Sequence, residues 1–139
     1  SELYDVYMHL LMMLASRLCE RWQEADKDRL LVAVSQVVER IKEPQPNITR
    51  VVEASFNVME ACCQVVANPY LTEALSNFKP AVSRAYYLGA DRYRKGLATT
   101  STFFSELPQA VLARDSTKAT ELIRGFAEHQ KNLIRQALD

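Results

Sequence analysis

Glu53 and Asn57 stand inside the most apolar stretch of the chain, NITRVVEASFNVMEACCQVVANPYL from Asn47 to Leu71. On a helix their spacing puts a carboxylate and an amide one turn apart, pointing the same way. Such a pair can line a polar-tipped pocket, or it can be a solvated stripe on an otherwise buried helix. Other reactive chemistry is scarce. His9 and His129 are the only histidines, and no nucleophile–base pair, glycine-rich phosphate loop or HExxH motif is present. A hydrolase triad or a multi-histidine metal site would have to be assembled from very little, so the chain is not expected to be an enzyme. His129 falls between Phe126 and Leu133 on an apolar face, where a hydrogen-bonded core histidine is the ordinary outcome. Cys19, Cys62 and Cys63 are odd in number, two are adjacent, and no CxxC occurs. They are read as reduced core thiols, consistent with a cytoplasmic protein. The run Arg92-Tyr93-Arg94-Lys95 is basic, but 17 basic and 17 acidic residues cancel over the chain. No broad positive field of the kind a stand-alone nucleic-acid binder needs is present.

These residues must be held by helices. Only three glycines and five prolines occur among 139 residues, 48% of which are apolar. No strand-like alternation of apolar and polar residues is present, which favours an all-α protein. In the Asn47–Leu71 segment, Ile48, Val51, Val52, Phe56, Met59, Cys63 and Val66 make one apolar face, and Ala54, Val58, Ala61 and Val65 another. The polar residues collapse to the stripe Glu53, Asn57, Glu60 and Gln64. A helix this apolar belongs among its neighbours, so the segment is placed at the centre of the domain. Around it, a first helix from Ser1 to about Gln23 buries Tyr7 and Leu11, and a second starts at Asp26 or Asp28. The connector Glu43-Pro44-Gln45-Pro46 cannot continue a helix. Asn68 and Pro69 open a fourth helix, with Pro80 inside it and Gly89 at its end. Another helix runs from about Asp91 to Ala113, with a kink expected at Pro108 as at Pro80. Asp115 caps the last. The spacing predicts about six helices joined by short connections, an antiparallel bundle forming one domain over 1–139. The apolar run Val6–Ala15 is broken by His9 and falls far short of the roughly 20 residues a membrane span requires.

Several motifs then point one way. Asn68-Pro69-Tyr70-Leu71, the Leu75/Phe78 repeat, and Ala110-Val111-Leu112-Ala113-Arg114-Asp115 followed by Ala119 resemble the C-terminal effector domain (FCD) of FadR-type regulators in the GntR family. That family opens one helix with "NPxL" and joins its last two with "AI..GD...A". Leu3-Tyr4-Asp5-Val6 is similar to the family's "lyEvR" opening, with Ala15 to Arg21 as its Ala-rich continuation. Glu53-Ala54-Ser55-Phe56-Asn57 falls where the family has "DxxFH". The resemblance covers essentially the whole chain.

It implies an all-α bundle enclosing a cavity for a small effector. In such regulators the domain follows a winged helix-turn-helix domain, helps to form a homodimer, and changes how the DNA-binding heads sit on an operator. Many members hold a divalent metal with one Asp and three His, and the metal helps to bind a carboxylate. By this resemblance the Asp is Glu53, and the three His are Asn57, Phe104 and Phe126. The Arg of the first helix is Tyr7, with Leu11 at the acidic position one turn on. Ring carbons do not coordinate, so no metal or other cofactor is expected. The expected ligand is a small carboxylate or acyl effector in a pocket that Glu53 and Asn57 line, its chain against Tyr7, Phe104 and Phe126 and its head near Asn57, Arg84 or His129. Arg84 is the expected carboxylate partner. The subgroup includes a metal-free member specialised for fatty acyl groups, which makes a lipid-like effector fit. No helix-turn-helix occurs in the sequence, so DNA contact is expected only through a separate domain. Two alternatives stand beside this reading: a purely structural dimerising module with a filled core, and a metal-dependent member in a shifted register using Glu53 and His129.

Overall fold

The computed structural model of the chain describes residues 1–138, apart from the side chains of Gln136 and Leu138. It is an all-α bundle of seven helices: α1 (Glu2–Arg21), α2 (Lys27–Lys42), α3 (Ile48–Val66), α4 (Pro69–Leu88), α5 (Ala90–Lys95), α6 (Leu97–Leu112) and α7 (Ser116–Leu138). A single 3-10 turn, Glu24–Asp26, precedes α2. No strand occurs among the described residues. Among them, too, no helix is long and apolar enough to cross a membrane.

The helix starts follow local chemistry. Ser1 Oγ accepts from the Tyr4 amide, Asn47 Oδ1 from Arg50, and Asp115 Oδ1 from Lys118. Asn68 Oδ1 takes the amides of both Tyr70 and Leu71, each at 3.1 Å, with Pro69 at the first helical position. Each cap satisfies donors that the first turn leaves without intrahelical partners. Ala67, at φ 54°, ends α3 in the left-handed conformation just before Asn68 starts α4. Helix α4 continues through Pro80, and α6 through Pro108.

The expected helix over 91–113 is two helices. They break at Gly96, which is buried against α7: a Cβ there would fall 2.6 Å from Leu133 Cδ1 and 2.7 Å from His129 Cε1. Glycine, a poor helix former, stands where the helix breaks and lets α7 pack close against the backbone there.

Helix α3 is deeply buried, with Val51 and Val52 essentially sealed from solvent. Burial of a side chain of that size contributes about 1.5–3 kcal/mol. Its polar stripe, however, faces water. Glu53, Asn57, Glu60 and Gln64 are all exposed, Glu60 pairing with Lys79 at 2.8 Å and Gln64 accepting from Arg29 at 3.1 Å. Helix α3 packs against α1, α2, α4 and α5, whereas α1 packs against α3, α4, α6 and α7. The interior is therefore organised around α1 as much as α3. The far end of α1 is fastened by Trp22 Nε1, which donates to the Val111 carbonyl at 2.8 Å, and by Arg21, which donates to the Val66 carbonyl at 2.7 Å.

Candidate functional site

Between α1, α3, α6 and α7 lies a cavity of about 100 Å³. Its walls come from Tyr4, Tyr7, Leu11 and Leu14 of α1, from Ser55, Phe56, Met59 and Cys62 of α3, and from Phe103, Phe104 and Leu107 of α6. Helix α7 adds Ile123, Phe126 and Ala127, and α4 reaches in with Tyr86. None of the lining residues is solvent-exposed. One water needs only about 10–15 Å³ of such space, so the hollow is several waters large. Under α2 a smaller cavity of about 30 Å³ shares the walls Leu18, Val58, Cys62, Leu107 and Val111.

The apolar end is aromatic. Phe103 and Phe126 stack with centroids 4.1 Å apart and planes at 4°, and Phe104 stands edge-on to both, at 5.0 and 5.9 Å. The other end is a cluster of phenols. The hydroxyls of Tyr4 and Tyr86 lie 3.4 Å apart, and the Tyr7 hydroxyl donates to Met59 Sδ at 3.5 Å. Gln130, 1% exposed, lies beside Tyr86 and Tyr93, with its Oε1 3.1 Å from His129 Nδ1. Burial pushes the phenols of Tyr4, Tyr7, Tyr86 and Tyr93 above their ordinary range, so all four are neutral donors near pH 7. Burial also pushes the Cys62 thiol up to about 12, with Cys63 adding to the rise.

The expected site residues divide. Tyr7, Phe104 and Phe126 line the cavity together. Glu53, Asn57 and Arg84 do not: all three are exposed, on the outer faces of α3 and α4. His129 is half-buried, with its ring against Gly96 and Nδ1 3.1 Å from Gln130 Oε1, and it too is absent from the walls. On α3 the pair that faces Phe104 and Phe126, one turn apart, is Ser55 and Met59. That is two residues on from Glu53 and Asn57, and at about 100° per residue two residues turn a side chain to nearly the opposite face. The polar stripe drew the reading to the wrong side of the helix.

The cavity's donors do not fit a divalent metal. Ser55 and Met59 offer a neutral hydroxyl and a thioether, Cys62 is a lone thiol that burial keeps protonated, the rings of Phe104 and Phe126 offer no lone pair, and the remaining oxygens are neutral phenols. A transition-metal site is built from imidazoles, thiolates and carboxylates. Among the described residues no group of three or more His, Cys, Asp or Glu is clustered for a metal ion.

The sequence reading gave Tyr4, Ser55, Tyr86, Tyr93, Phe103 and Gln130 no role in a site. A signal was available: Tyr4, Tyr7, Tyr86 and Tyr93 all lie on apolar helix faces, and a buried phenol carries a hydroxyl that must find a partner. Four of them from three helices foretell a shared polar centre.

No curated protein and no solved structure matches the chain. A family model does: that of the FCD domain, over residues 2–129. With nearly the whole bundle covered by that match, and an all-α core built around α1 and α3, the chain belongs to the FCD family, the C-terminal domain of GntR-type regulators.

Proposed function

We propose that the chain is the sensing part of a GntR-type transcription regulator and that the cavity between α1, α3, α6 and α7 holds its effector. The family's role is effector binding. One observation carries the assignment to this cavity: a hollow of about 100 Å³, lined by side chains none of which is exposed, aromatic at one end and phenolic at the other. A mostly apolar wall with a few convergent polar groups is the usual make-up of a small-molecule site. Of the two effector types expected, the acyl compound fits better than the free carboxylate, because Arg84 and His129 are not in the walls.

The effector acts by favouring one arrangement of helices over another. It touches α1, α3, α6 and α7 at once, so it is placed to bias their packing. The change is passed to a separate DNA-binding domain through a homodimer in the cytoplasm. Exposed apolar side chains on α1 (Leu3, Val6, Met13) and α4 (Tyr70, Tyr87, Leu88) are available to a second copy.

The test is thermal unfolding against a panel of small acyl compounds, neutral and acidic. A binder at about 100 times its Kd stabilises the fold by about 2.7 kcal/mol, a rise of several degrees. Ala15→Leu and Ala127→Leu each place extra carbons in the hollow and are expected to abolish the rise while leaving the helical circular-dichroism spectrum intact. If no compound raises the melting temperature of the unaltered protein, or if the filled variants respond equally, the cavity is not the effector site.

A further inference from the structure

The cavity has two properties that together define the chemistry of its occupant. First, no lining residue is charged: there is no Lys, Arg, His, Asp or Glu in the walls. A carboxylate entering would lose its hydration and meet no counter-charge, and such an ion is strongly disfavoured. A neutral hydrocarbon meets stacked phenyl rings and aliphatic side chains instead.

Second, the hydroxyls are not equally engaged. The Tyr4 and Tyr86 hydroxyls bond to each other, at 3.4 Å. The Tyr7 hydroxyl, on a residue only 4% exposed, donates to nothing better than the thioether of Met59, at 3.5 Å. A thioether sulfur is a weak acceptor. The bond joins α1 to α3 across the cavity, so this donor is both buried and cheaply exchanged. Because burial keeps its phenol protonated, it remains a donor across the physiological range.

We infer that the effector is an uncharged, mainly hydrocarbon molecule with one accepting carbonyl oxygen, and that Tyr7 gives up the Met59 sulfur to donate to that oxygen. This rests on the reading of the cavity as the effector site. The exchange also loosens one of the direct links between α1 and α3, which gives the ligand a hold on the packing of those two helices.

Three probes of similar size separate the possibilities: ethylbenzene, acetophenone and benzoate, titrated calorimetrically at neutral pH. Acetophenone is expected to bind most tightly, ethylbenzene more weakly and benzoate not at all. Tyr7→Phe, which keeps the ring, is expected to weaken acetophenone roughly five- to tenfold, the range of one net hydrogen bond, and to leave ethylbenzene within about twofold. Met59→Leu removes the competing acceptor and is expected to tighten acetophenone, a response that a merely structural role for Tyr7 would not give. Benzoate binding more tightly than acetophenone, or Tyr7→Phe weakening both neutral probes equally, overturns the inference and leaves the effector cavity standing. Failure of all three probes to bind overturns both.

Discussion

Arg114 holds a backbone conformation that residues with a side chain avoid, at φ 56° in the turn between α6 and α7. The FadR-type pattern has glycine there, so the arginine must return something. Its guanidinium donates to the carbonyls of Cys19 at 2.9 Å and Trp22 at 2.8 Å, and lies 4.2 Å from the Trp22 ring centroid. It thus caps the C-terminal end of α1, where a positive charge also meets the helix dipole. Arg114→Ala loses these bonds and keeps the strained backbone, whereas Arg114→Gly loses the bonds but relieves the strain. The alanine variant is expected to cost about 1–2 kcal/mol and to be less stable than the glycine variant by about 1 kcal/mol, measured from urea midpoints. Equal stability of the two would show that the turn is unstrained.

Two element boundaries carry similar arguments. Asn68 supplies both first-turn acceptor contacts of α4, and Asn68→Ala is expected to cost about 1 kcal/mol. Gly96, between α5 and α6, packs closely against the Leu133 and His129 side chains of α7. Gly96→Ala is expected to cost about 1–3 kcal/mol through overpacking. Adding His129→Ala vacates one of the two clashing groups, so the double variant should be more stable than the two single effects sum to. Strict additivity would mean that the His129 ring moves aside freely. Most helix ends were legible in the sequence, since Asn47, Asn68-Pro69, Gly89 and Asp115 are local signals that act through their own backbone. The break at Gly96 was not, since a lone glycine within a periodic apolar pattern is also compatible with an unbroken helix.

At the scale of the molecule, the buried thiols and phenols set the response to alkali. Burial raises Cys62 to about 12 from a usual 9.0, and raises Cys19, Cys63 and the four clustered tyrosines as well. The folded state keeps protons that the unfolded chain gives up, so this stability is complete below about pH 9 and is lost as pH rises towards about 12. Urea midpoints are expected to be flat from about pH 7 to 8.5 and to fall above pH 9, with Cys62 contributing up to about 1.4 kcal/mol per pH unit. A midpoint that holds to pH 11 would show that these groups titrate freely in the fold.

The chain's own order of residues determined that it is all helix, where most of its helices start, and which of their faces turn inward, because capping and 3.6-residue periodicity are properties of neighbours in sequence. It also determined that Tyr7, Phe104 and Phe126 lie on inward faces. Which residues share a cavity was decided by the tertiary packing. Glu53 and Asn57 were picked out for their polarity, but the rotation of α3 against α1 turns them to water and brings Ser55 and Met59 to face the phenylalanines. Polarity along one helix marks a stripe; only the helices packed around it decide whether that stripe meets solvent or a hollow.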